Sequence, residues 1–109
     1  MIFRYVEEKF QQAIDALIGA SSLADRLETA ATYLSRLGDE DFQNHAALGD
    51  EFFSLKNELT QISSVGGAGS IRATIQQMSS AELEERARQI HSLYRHLMEA
   101  KAVTAGLAV

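Results

Sequence analysis

The stretch Leu23–Leu37, "LADRLETAATYLSRL", decides the fold class. Leu23, Leu27, Ala30, Leu34 and Leu37 recur in alternating steps of four and three. That spacing puts them on one face of an α-helix and matches the seam of a helical bundle. Ala24, Ala30 and Ala31 keep the helix thin and allow a neighbour to approach closely. Ser21 and Ser22 offer an N-cap before it, and Gly38 a stop after it.

The same periodicity extends in both directions. Upstream, Phe3, Val6, Phe10, Ile14 and Leu17 form a stripe flanked by Ala13 and Ile18, and Gly19 ends it. Downstream, Asp39, Glu40 and Asp41 suit a helix N-terminus, and Leu48, Phe52, Leu55, Leu59 and Ile62 continue on one face. Phe42 and Ala46 lie off that face, which predicts a bend, or two helices meeting, at Gly49. Ile71, Ile75 and Met78 mark a short helix. Ser79 and Glu82 then form a capping box for a last helix carrying Leu83, Ala87, Ile90, Tyr94 and Leu97. Glu82–Arg86 and Glu84–Arg88 are spaced as i, i+4 ion pairs. Helices are thus expected over 2–18, 22–37, 40–63, 71–77 and 80–101. No strand-like alternation and no solenoid repeat is present. Short connections favour an all-α, up-down bundle of four main helices plus one short helix, in a single domain over 1–109.

Composition narrows the function classes. The chain has no cysteine, which removes thiolate metal sites, disulfides and cysteine nucleophiles. No leader-like or membrane-spanning run is evident, so a cytoplasmic setting without a membrane partner is expected. The net charge is −5, divided as −6 over residues 1–64 and +1 over residues 65–109. Such a balance disfavours duplex DNA, whose binding relies on Lys and Arg contacts to phosphate. It suits a basic protein partner.

Five constellations bear on chemistry. "VGGAGSIRATIQQMSS", residues 65–80, has three clustered glycines before a helix, but neither the lysine of a phosphate loop nor the third glycine of a dinucleotide fingerprint. It reads as a joint, with Ser70 and Arg72 as a weak anion site at the helix start. His91 and His96 are about 140° apart on one helix, so they do not share a metal there, and no metal or cofactor is expected. The acidic stretch Asp39, Glu40, Asp41, Asp50 and Glu51 has no basic residue within it and is a docking candidate for a basic partner. Phe52 and Phe53 are adjacent, so one helix face does not bury both. One of them should cover the bend or face a partner, which favours a homodimer.

The fifth is "RARQIHSLYRH", residues 86–96. Arg86, four intervening residues and His91 resemble the arginine–histidine signature of HEPN ribonucleases. The resemblance implies a dimeric helical bundle in which Arg86 and His91 meet at a cleft, with Tyr94 nearby, and RNA is cut by attack of its 2′-hydroxyl. Histidine suits such proton transfer. Ala87 stands where that family has a polar residue, and Tyr94 follows His91 by three positions instead of two. The reading adopted is a helical interaction module without catalysis, bound to a protein partner or to itself, with the ribonuclease as the alternative. Arg86 is then expected to pair with Glu82, and His91 to sit at the edge of the core.

Overall fold

The computed structural model describes residues 3–62, 69–104 and 106. Among these residues the chain is all-α: α1 (Phe3–Leu17), α2 (Leu23–Leu34), a 3₁₀ turn (Asp39–Phe42), α3 (Ala46–Leu59), α4 (Ser70–Gln76) and α5 (Ser80–Thr104). Four long helices and one short helix match the expected set. Gly66 and Gly67, and most of the expected joint, lie outside the described residues.

Local sequence accounts for the helix starts. The Ser22 hydroxyl accepts the Asp25 N–H at 3.2 Å. At α5, the Ser79 hydroxyl accepts the Glu82 N–H and the Glu82 carboxylate accepts the Ser79 N–H, each at 3.2 Å. All three contacts satisfy amide groups at helix N-termini. Arg26 closes the other end of α1, donating to the Leu17 carbonyl at 2.6 Å and the Ser21 carbonyl at 2.9 Å. It thereby ties the α1–α2 hairpin across its turn.

The third segment departs from expectation. Of the two expected forms, a bend or two helices meeting, it is the second, but the 3₁₀ turn and the helix are separated at Gln43–His45 and not at Gly49. Asn44 takes φ of +69°, a left-handed conformation that asparagine tolerates. The Asp41 carboxylate closes the turn on the Gly38 N–H at 2.8 Å. Gly49 lies within α3, and its role is close approach: a β-carbon there would stand 3.1 Å from Cβ of Phe42. The helix also ends at Leu59, which leaves Ile62 outside the expected stripe and partly exposed.

α5 is the strut of the assembly and packs on α1, α2 and α3. Ion pairs give the directions. Arg86 meets Glu58 and His96 meets Glu51, so α5 runs antiparallel to α3. Lys101 meets Glu7 while Tyr94 stacks on Phe10, so α5 also runs antiparallel to α1. The core holds Val6, Phe10 and Ala13 of α1, Leu27, Ala30, Ala31 and Leu34 of α2, Phe52, Leu55 and Leu59 of α3, and Ile90, Leu93 and Leu97 of α5. Each large side chain buried there contributes about 1.5–3 kcal/mol. α4 covers α2 and α3, and its buried Thr74 accepts the Ile62 N–H at 2.9 Å. That bond joins the end of α3 to α4.

Candidate functional site

Arg86, His91 and Tyr94 leave α5 in different directions. Arg86 turns towards α3, where it forms an ion pair with Glu58 and donates to Gln89 at 2.9 Å. Its side chain is 18% exposed. This replaces the expected Arg86–Glu82 pair: Glu82 already serves the cap at Ser79, and α3 brings a carboxylate to the arginine. His91 is exposed on the opposite flank, against α1, and not at the core edge. The Tyr94 ring stacks on Phe10, with centroids 6.5 Å apart, and is half-buried. Within one chain the three do not share a cleft. The other expected pair, Glu84–Arg88, is replaced by Glu85–Arg88, in which two guanidinium nitrogens reach one carboxylate oxygen at 2.9 and 3.2 Å.

The acidic candidates separate into two kinds. Asp41 is used by the 3₁₀ turn, and Glu51 accepts from His96 Nδ1 at 2.8 Å. Asp39, Glu40 and Asp50 are exposed and have no partner among the described residues. They share one end of the molecule, because the 3₁₀ turn packs on the start of α3.

The two phenylalanines differ in their surroundings. Phe52 is 1% exposed and stacks on Phe42 at 4.9 Å between centroids, so it is not available to a partner. Phe53 is half-buried, edge-on to Phe42 and Phe52, with Lys56 over its ring. The chain solves the adjacent-aromatic problem by folding the 3₁₀ turn over α3, which lets Phe42 cover both rings. No surplus aromatic remains to argue for a homodimer.

The weak anion site is also occupied by the fold. Arg72 crosses to α2, where its Nε donates to Glu28 at 2.9 Å. Ser70 opens α4, a helix of only seven residues. The histidines are dispersed: His45 precedes α3 with its ring edge-on to Phe3, His91 faces α1, and His96 faces Glu51. Among the described residues no group of three or more histidines and carboxylates is placed to hold a metal ion. No described helix is long and apolar enough to cross a membrane.

The recesses differ in kind. The seam where α2, α3 and α4 meet is apolar and leaves about 10 Å³, the room of a single water. A polar recess of about 340 Å³ lies between the ends of α3 and α4 and the start of α5, walled by Glu58, Thr74, Glu82 and Arg86. A wide, open recess of about 610 Å³ lies between α1 and α5. Its floor is Ile14, Leu17, Ile18 and Ala87, and its rim on α5 is Arg88, His91 and Arg95. Ile18 is 75% exposed, at the turn just beyond α1. Arg95 and His91 have no partner among the described residues.

Sequence reasoning did not assemble this groove. Its signals were present separately: Ile18 flanking the α1 stripe, and Arg88, His91 and Arg95 spaced by three and four on α5. What was missing was the pairing of α1 with α5, which are far apart in the chain. The chain matches no protein-family model, no curated protein and no solved structure.

Proposed function

We propose that the protein is a helical interaction module without catalysis of its own, and that the α1–α5 groove is its main docking surface. The observation that carries this reading is the groove's composition. An aliphatic floor that includes a largely exposed isoleucine stands open beside two arginines and a histidine. Burying such side chains against a partner is favourable by about 25 cal/mol per Å² of apolar surface, and charged rims around apolar floors select the partner. The exposed carboxylates Asp39, Glu40 and Asp50 offer a second surface, suited to a basic partner. The ligand is a protein segment, from a partner or from a second copy of this chain.

The ribonuclease alternative asks for Arg86 and His91 at a common cleft, and the Arg86–Glu58 pair counts against it. An RNA-cleavage assay on the purified protein, with His91→Ala as control, tests the choice. The expected outcome is no cleavage by either protein. Cleavage that disappears in His91→Ala would replace the interaction reading with the enzymatic one.

A further inference from the structure

We propose that the occupant of the α1–α5 groove is a short acidic amphipathic helix of a partner protein. The inference rests on the interaction reading above and specifies its ligand.

The shape of the groove fits a helix. α1 and α5 run antiparallel beside it, and a third helix laid between them would rest its apolar ridge on Ile14, Leu17 and Ile18. Ala87 is small and lets that ridge sit deep. The rim supplies the charge. Arg88, His91 and Arg95 occupy one stripe of α5, spanning about 10 Å, or two helical turns. Carboxylates spaced i, i+3 or i+4, and i+7 on a docked helix would match this row. Arg95 has no carboxylate partner among the described residues, and Arg88 engages Glu85 through Nε and Nη2. The row is local on an acidic molecule, and beyond about 8–10 Å the surrounding negative charge is screened at physiological salt.

The same residues argue against the other occupants. A second copy docked antiparallel about the middle of the row would set Arg88 against Arg95 and Glu84 against Glu99, like charge on like. RNA would find no phenylalanine, tyrosine or tryptophan ring among the groove's lining residues on which to stack a base.

The test uses the full chain and two fluorescent peptides of about four helical turns. Both carry leucines at i, i+3, i+4 and i+7. One has glutamates on the flanks of that stripe, and the other has lysines at the same places. Anisotropy titration should show the glutamate peptide binding at least about tenfold tighter than the lysine peptide. Raising salt should weaken the preference. Arg88→Glu combined with Arg95→Glu should invert it, and Ile18→Asp should remove binding of both peptides. Circular dichroism on each variant checks that the helices remain. Equal affinity for the two peptides overturns the proposal, as does no binding of the glutamate peptide up to about 1 mM. Binding unchanged by Ile18→Asp also overturns it, since the peptide then sits elsewhere. If the peptide fails and light scattering shows a dimer lost in Ile18→Asp, the groove binds a second copy and the interaction reading survives. His91-dependent cleavage of RNA would remove both.

Discussion

α5 meets α3 along one flank and α1 along the other, and the two seams are built differently. Towards α3, polar groups are matched in place: Arg86 pairs with Glu58 near one end and His96 with Glu51 further along. The recess between them, walled by Ser54, Gln89 and Ser92, is about 180 Å³. Towards α1 there is one ion pair among the described residues, Lys101 with Glu7, at the far end of α5. Over the rest, α1 offers Ile14, Leu17 and Ile18 opposite Arg88, His91 and Arg95. The contrast teaches that a cation's availability depends on what the opposing helix presents. α3 presents carboxylates seven residues apart on one face, and α1 presents aliphatic side chains. The α3 seam therefore uses its charges for the fold, and the α1 seam leaves them for a partner.

Substitutions separate the two flanks, and the largest effect belongs to the α3 side. Phe52→Ala removes the ring that joins α3 to Phe10 and Phe42, and should destabilise the protein by about 3–5 kcal/mol in a denaturant titration. A loss below about 1 kcal/mol would mean that α3 is not anchored by this cluster.

Next comes the Arg86–Glu58 pair. Both partners are partly exposed, so solvent screening discounts the value of a buried pair. Arg86→Ala should cost about 1–2 kcal/mol. A double-mutant cycle with Glu58→Gln should attribute most of that to their coupling. Additive effects would break the idea that the α3 seam is held by matched charge.

Gly49→Ala sets two effects against each other. Alanine favours a helix by about 1 kcal/mol over glycine. Its β-carbon, however, presses on Phe42, which is buried and has little room to yield. A net loss of about 1 kcal/mol is expected in thermal melts, from overpacking. A stabilised variant would show that the 3₁₀ turn gives way easily.

The smallest effects belong to exposed charges. His96→Ala removes an exposed pair with Glu51 and should cost no more than about 1 kcal/mol. On the α1 flank, His91→Ala should change stability by no more than about 0.5 kcal/mol, because no described contact depends on it. A larger loss at His91 than at His96 would invert the comparison between the flanks.

Helical class, the number of long helices and two of the helix starts were legible in the chain. Each depends on residues within a few positions of one another: the steps of three and four from Leu23 to Leu37, Ser22 at the start of α2, and Ser79 with Glu82 at the start of α5. Local geometry settles such features before any neighbour arrives. The break before α3 was misplaced for the opposite reason. Gly49 attracted the bend on local grounds, yet it sits inside the helix because Phe42 must pack onto it, and Asn44 makes the turn. Phe52 and Phe53 looked like a surplus until the 3₁₀ turn folded Phe42 over them. Side-chain partners were decided in the same way. Arg86 has a carboxylate four residues away, but it joins Glu58, twenty-eight positions upstream, because α3 lies alongside α5. The α1–α5 groove exists only through a pairing of the first helix with the last. A residue's helical tendency is set by its neighbours in the chain, whereas its electrostatic and apolar partners are set by which helix the packing brings opposite it.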